Sequence, residues 1–285
     1  MKHLVIIGMV IPEPQSTAAG KRMLQLIEFF FQENFRISFL TAANNLDFSE
    51  DLEKLNVEFH KILVNDSSFE KTIQELNPDI VLFDRFVTEE QFGWKVVENC
   101  PNAIRILDTE DLHFLRIARE KSFKKKLDWT DDLLLNDVFK REIAAIVRCD
   151  LSLIISEFEL QLLMNKFKIP ENILVYFPLF AEISTKNKSF EERKDFISIG
   201  NFLHEPNWQT VLKLKEIWPT IKLKLPEAQL LIYGAYVTEK AKQLHNDKQG
   251  FLIIGRADSV EMVFDDAKVL LAPIPYGAGI KGKLL

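Results

Sequence analysis

Cysteine is scarce in this chain, with two residues, Cys100 and Cys149, among 285. They stand far apart and near no histidine cluster, which excludes a disulfide framework and a thiolate zinc site and leaves two structural thiols of a reducing compartment. No apolar run approaches the ~18 residues that a membrane-spanning helix requires. The opening KHLVIIGMVIP is apolar, but Pro12-Glu13-Pro14 follows at once and the basic leader is minimal, so it does not read as a secretory signal. An excess of basic residues is missing too. With 36 Lys and Arg against 42 Asp and Glu, the formal net charge is −6, the opposite of a nucleic-acid footprint. The chain also lacks internal repeats and low-complexity segments. These absences point to a cytoplasmic protein that meets a membrane, if at all, peripherally.

What is present is an ordinary globular composition, 47% hydrophobic and 27% charged, long enough for two cores. Short β-branched apolar runs recur between helical patterns: LVIIG at 4–8, RISFL at 36–40, VEFHKI at 57–62, DIVLF at 79–83, AIRIL at 103–107 and LSLIIS at 151–156. Runs apolar on both faces and separated by amphipathic stretches are what a parallel sheet covered on both sides requires. The first helix is expected over about Thr17 to Gln32, with Met23, Leu24, Ile27, Phe30 and Phe31 on its buried face and Ser16 or Thr17 as its cap. A polar, aperiodic stretch at 181–195 has the composition of a linker. Beyond it the alternation restarts with FISIG, AQLLIYG, GFLIIG and KVLLAP, and a helix opening at Pro206 is expected to bury Trp208, Val211, Leu212 and Trp218. The expected organisation is an N-terminal domain over 1–182 and a C-terminal domain over 195–285, both doubly wound α/β.

Ligands of such domains bind at the carboxyl ends of the strands, and four strand-end loops carry unusual residues. The first, GMVIPEPQSTAAGKRM at 8–23, brings Ser16, Thr17 and Gly20 to a helix start where backbone amides can approach an anion. The second, LDTEDLHFLR at 107–116, packs Asp108, Glu110, Asp111 and His113 just past a strand end, a density that suits a polar sugar or acid/base work. The third, SIGNFLHEPNW at 198–208, places Gly200, Asn201 and His204 between strand and helix. The fourth, YGAGIKGK at 276–283, offers Gly277, Gly279 and Gly282 with Lys281 and Lys283. Each of the first three can also be read as a plain capped turn; a mere tail is the lesser reading of the fourth, because its glycines directly follow an apolar strand. A fifth stretch, RIAREKSFKKKLDW at 116–129, interleaves basic residues with Phe123, Leu127 and Trp129, which allows contact with anionic lipid or a solvated helix face. The literal G-x-G-x-x-G at 277–282 raises a dinucleotide-dependent oxidoreductase, but that fingerprint belongs in the opening turn of its domain with an acidic residue ~20 positions later.

FISIGNFLHEPNWQTVLKLKEIWP, AQLLIYGA, FLIIGRADSVEMVFDDAKVLLAP and GAGIKGKLL together resemble the C-terminal domain of family 4, group 1 glycosyltransferases of the GT-B fold, and PEPQSTAAGKRM and TEDLHFLR resemble the N-terminal half more loosely. The resemblance implies two Rossmann-like domains facing across a cleft and a retaining, metal-independent transfer. A sugar would pass from a nucleotide-diphosphate donor to an acceptor such as a cell-surface glycan or a lipid-linked precursor. Carried over, the glycine-rich loop with Lys281 and Lys283 would lie at the donor diphosphate, beside Gly200, Asn201 and His204, and His113 would face the donor sugar. No metal site is implied. The sequence departs from the pattern where many relatives have Gly-Arg and a later lysine, since Asn201 and Pro206 stand there, and where the first of two family glutamates would fall, at Ala278. The second glutamate would follow Leu285, so the resemblance implies that the sequence breaks off inside the donor site, with the second domain incomplete and this form inactive. The alternative is a non-catalytic sugar-nucleotide or glycan-binding subunit.

Overall fold

The computed structural model describes residues 1–45, 47–181 and 188–284, apart from the side chain of Leu284. By its internal contacts the chain forms two compact units. The first comprises Met1–Pro14, Ala19–Phe180 and Ala278–Gly282, and the second comprises Gln15–Ala18, Ala181–Gly277 and the residues from Lys283 onward.

The first unit is built on strands β1 (His3–Gly8), β2 (Arg36–Thr41), β3 (Glu58–Lys61), β4 (Ile80–Asp84), β5 (Ile104–Asp108), β6 (Leu151–Ile154) and β7 (Leu174–Tyr176). All neighbours are parallel, in the order β3-β2-β1-β4-β5-β6-β7. Helices α1 (Ala18–Gln32), α2 (Ser68–Leu76), α3 (Arg85–Asn99), α4 (His113–Lys125), α5 (Asp137–Arg148) and the short α6 (Glu157–Gln161) make the crossovers. The period of two in β1 divides its side chains between two cores. Leu4 and Ile6 pack with Met23, Leu26, Ile27 and Phe30 of α1, whereas Val5 and Ile7 pack with the apolar faces of α2, α3, α4 and α5. Each such side chain removed from water contributes ~1.5–3 kcal/mol, which is why both faces of every central strand are apolar.

The expected buried face of α1 is corrected at two places. Phe31 is 51% exposed, and Leu26 takes the inward position instead, three residues from Met23 and four from Phe30. Ser16 does not cap the helix, because its buried hydroxyl has no hydrogen-bond partner.

The second unit carries β8 (Lys194–Ile199), β9 (Leu230–Tyr233), β10 (Phe251–Gly255) and β11 (Ala267–Leu270), all parallel in the order β10-β9-β8-β11. Its helices are α7 (Glu205–Lys224), α8 (Glu239–Lys242) and α9 (Val260–Asp266). Lys194 and Asp195, expected in the linker, open β8, while residues 182–187 of that stretch lie outside the described residues. Pro206 sits in the first turn of α7, where its missing N–H costs nothing. Val211, Leu214 and Trp218 then form the buried stripe with Phe202, Leu230, Ile232 and Phe251, and the Trp218 indole donates to Gln249 O at 2.8 Å. Leu212, expected in that stripe, is 38% exposed because the helix turns it away from Val211 and Leu214. Among the described residues no helix is long and apolar enough to cross a membrane.

Candidate functional site

In the first sheet the chain runs from β1 outward to β2 and β3 and then returns to lay β4 on the other side of β1. The crevice at the carboxyl ends of β1 and β4 is therefore the topological switch point. Asp84 ends β4 and accepts the Met9 amide, just past β1, on Oδ2 at 3.0 Å. Across the ladder Asp84 is in register with Asp108, the last residue of β5. Arg85 and Glu110 follow these aspartates with φ of 69° and 61°, left-handed conformations that are strained for residues with side chains.

The charges here are unevenly matched. Arg22 of α1 is committed to Asp108 through Nε and Nη2 at 2.8 to 3.0 Å, with its Nη1 on Phe177 O at 2.7 Å. Arg116 holds Asp111 at 2.9 Å. Arg85 approaches Asp84 at 3.6 Å and is the guanidinium left to answer both Asp84 and Glu110. Burial raises the pKa of Asp84, against the pull of Arg85, and burial followed by the charge of Asp108 raises Glu110 well above the usual carboxylate range. Burial alone would lower the pKa of Arg85, but the carboxylates around it, Asp84 first, more than offset this and raise it above its ordinary value.

His113 is the first residue of α4. Its amide and that of Phe114 donate to the two oxygens of buried Glu142, each at 3.0 Å, and the preceding Leu112 amide donates to Glu159 at 3.2 Å. The exposed amides that would make this helix start an anion site are thus taken by two internal carboxylates. The ring is held by Phe86 edge-on at 5.4 Å and by Nδ1 against Asp111 O at 3.1 Å, so Nε2 is the ring nitrogen left clear of these contacts.

Gly279 and Lys281 join this neighbourhood. Gly279 has φ of 63°, and a Cβ there would stand 2.9 Å from the Asp111 Cβ, so only glycine fits the approach. Its amide donates to Glu159 at 2.7 Å. Burial lifts the Glu159 carboxyl to about 7, partly opposed by that amide. Lys281 turns its ammonium onto Ala278 O, and burial lowers its pKa. The expected N-terminal loop is more internal than a phosphate cradle. Gly20 is buried because the Glu13 backbone crosses it, and a Cβ would meet that backbone at 2.5 Å. Ser16 Oγ is buried without a partner, and Thr17 lies just before α1.

In the second sheet the reversal falls between β8 and β11. At the carboxyl end of β8 a small hollow is lined by Ser198, Gly200, Asn207, Thr210, Tyr233 and Lys283, among others. Lys283 donates to Ile199 O at 2.7 Å and to Asn207 Oδ1 at 2.9 Å, while Asn207 Nδ2 donates to Asn201 O at 3.0 Å. The structure therefore gathers Gly200, Asn201 and Lys283 around Asn207, and gathers His113, Gly279 and Lys281 around Asp111. His204 is the N-cap of α7 and donates its amide to Asn201 O at 3.2 Å; Gly277 is buried beside Tyr276. Among the described residues no group of three His, Cys, Asp or Glu side chains is placed to hold a metal ion.

No protein-family model and no curated protein sequence matches the chain. Solved structures do match. S. aureus TarM, in a complex with UDP and alpha-GlcNAc-glycerol, is similar with a TM-score of 0.68 at 10% identity, over 95% of this chain and 80% of TarM. The fold is GT-B. A glycosyltransferase from Rickettsia africae matches with a TM-score of 0.58 at 14% identity, covering 94% of this chain and 72% of its own. UDP-GlcNAc 2-epimerase from Neisseria meningitidis, bound to UDP-GlcNAc, matches with a TM-score of 0.52 at 12% identity, over 95% of this chain and 76% of its own.

Within this GT-B chain, sequence reasoning singled out the loop around His113 but passed over Asp84, Arg85, Arg22 and Glu159. The dipeptide Asp84-Arg85 at the end of an otherwise apolar run was the available signal, since a charged pair closing a parallel strand lies at the ligand edge of the sheet. Glu159 gave no signal, because its partners lie 47 and 120 residues away.

Proposed function

We propose that this protein is a retaining glycosyltransferase of the family 4, group 1 type, moving a sugar from a nucleotide-diphosphate sugar to a carbohydrate or lipid-linked acceptor. The observation that carries the reading is the GT-B fold shared with a glycosyltransferase and with TarM in a complex with UDP. The hollow at the end of β8 supports it, since Gly200, Asn207 and Lys283 there, with Asn201 bonded to Asn207, suit the donor. In this reading Lys283 exchanges its carbonyl partner for diphosphate oxygens, with Gly277, Gly279, Lys281 and His204 as further donor-side groups. Fixed amides and ammonium groups stabilise the leaving diphosphate without a metal. His113 Nε2 meets a hydroxyl of the donor sugar.

The test is release of nucleoside diphosphate from a panel of nucleotide sugars, with and without glycan acceptors. In a form that turns the donor over, His113→Ala should lower turnover by on the order of 10²-fold. The epimerase match favours a second reading, in which the nucleotide sugar is rearranged rather than transferred. Conversion of the donor to its epimer with no acceptor present would establish that reading. Binding of nucleotide sugars without turnover of either kind would instead leave a non-catalytic subunit.

A further inference from the structure

The first unit takes in the segment Ala278–Gly282 from far along the chain. Ala278 is 4% exposed and belongs to the same apolar core as Phe83, Leu112 and Ile154. Gly279 follows with φ of 63° and lies so close to Asp111 that a methyl group on it would stand 2.9 Å from the Asp111 Cβ. The left-handed turn at Glu110 brings its carbonyl oxygen to the same spot, 3.4 Å from where that methyl would be. Asp111 is itself held, by Arg116 at 2.9 Å and through its own amide by Thr109 O at 2.7 Å. The segment therefore rests on a surface that is already fixed.

One side chain ties the segment there. Glu159 is 1% exposed, and its Oε1 accepts the Gly279 amide at 2.7 Å and the Leu112 amide at 3.2 Å, while Oε2 has no hydrogen-bond partner. Glu142 shows what a carboxylate does when it only caps a helix: its two oxygens take two successive amides of α4, those of His113 and Phe114. Glu159 instead spends a single oxygen on amides from two segments, 47 and 120 residues away from it. Both amides must stay within reach of one atom. A buried carboxyl depends on its few donors, so the bond to Gly279, the shorter of the two, holds the carboxyl as much as it holds the segment.

We propose that Glu159 is a positioning residue, which fixes the glycine-rich segment to the start of α4 so that Gly279 and Lys281 keep one place relative to His113. That the fixed segment serves a nucleotide sugar rests on the glycosyl-transfer reading; the fixing itself does not. A loop already in place spares a ligand the cost of ordering it, which is how a residue that touches no ligand raises affinity.

The test is amide hydrogen exchange of the full chain without ligand, read residue by residue by NMR, in the wild type, Glu159→Met, Glu159→Gln and Gly279→Ala. Glu159→Met keeps the length of the side chain and removes the acceptor. Protection at Gly279 and Leu112 should fall by about tenfold to a hundredfold, the worth of a hydrogen bond to a charged group, while Val81 and Leu82 of β4 stay unchanged. Glu159→Gln keeps an accepting oxygen and should retain most of that protection. Gly279→Ala should lift the segment from its own side, opening amide 279 while Leu112 stays protected; should Glu159→Met fail to fold by circular dichroism, this variant and Glu159→Gln decide. Unchanged protection at residue 279, or a loss spread evenly over the sheet, would overturn the proposal. UDP is titrated against every variant by saturation-transfer NMR, and Glu159→Met and Gly279→Ala should bind it about tenfold more weakly than the wild type and Glu159→Gln. Equal UDP affinity in variants that have lost the protection would overturn the positioning role. Binding of UDP to none of the four proteins, with the exchange pattern as expected, would sink the glycosyl-transfer reading and leave the fixed segment standing.

Discussion

Replacing Arg22 by methionine tests how the first sheet is held at its ligand edge. The guanidinium is 1% exposed and its partner Asp108 is fully buried, so solvent can relieve neither. Methionine keeps most of the stem that packs beside Phe177 while removing three contacts to the carboxylate and one each to Phe177 O and Pro178 O. Asp108 is then a buried charge without its hydrogen-bonded guanidinium. Breaking a buried pair from one side costs about 3–5 kcal/mol, a large share of the ~5–15 kcal/mol that holds a native domain. At ~2–4 °C per kcal/mol for a unit of this size, the first unit should melt on the order of 10 °C lower. Arg22→Met combined with Asp108→Leu removes both charges and should recover most of the loss, because the pair's attraction largely offsets its desolvation. The assay is urea and thermal unfolding followed by far-ultraviolet circular dichroism for the wild type, both single variants and the double variant. An Arg22→Met protein within about 1 kcal/mol of wild type, or a double variant no more stable than the single ones, would refute the account of the pair as mutually dependent.

Three further outcomes are expected. Gly20→Ala should destabilise by about 1–3 kcal/mol in chemical denaturation, since its new methyl group meets the Glu13 backbone at 2.5 Å and that backbone must move. His3, buried between Leu76 O and Ser38 Oγ, has its pKa lowered by burial, so the unfolded chain binds a proton that the native state resists. Stability should therefore fall as pH drops below about 6.5, and His3→Gln should remove that part of the slope in a Tm series from pH 8 to 5. Glu159 has the opposite sign: its carboxyl is raised to about 7, so the native state holds a proton that the unfolded chain has released, and this contribution is lost as pH rises from 4.5 to 7. In Glu159→Gln that loss should be absent; an unaltered pH profile would mean that the buried carboxyl does not titrate there.

Much of the architecture was legible along the chain because it is set by short-range periodicity. Ten of the eleven strands among the described residues follow apolar runs that announce them, β7 being the exception, and a parallel sheet covered on both faces needs no long-range information to announce itself. Helix faces were legible to within one residue: Met23, Ile27 and Phe30 turn inward as their spacing requires, whereas Phe31 and Leu212 point outward because a neighbour about 100° away took the inward position. Strand order was beyond the sequence. Nothing local states that β4 returns to the far side of β1, yet that reversal creates the crevice where Asp84 and Asp108 stand side by side.

The candidate site divides along the same line. Residue type and position after a strand were enough to mark the loops holding His113, Gly200 and Lys283, because ligand edges of such sheets are built from the segments that follow the strands. Tertiary structure alone decided which charges were already spent. Arg22 is consumed by Asp108 from 86 positions away, and the start of α4 is closed by Glu142 and Glu159 from two later helices. Asp84 and Glu110 keep oxygens that nothing in the described chain satisfies. Whether a charged side chain is a structural tie or an open binding group depends on what the fold places within 3 Å of it, and that distance is set by packing between elements remote in sequence.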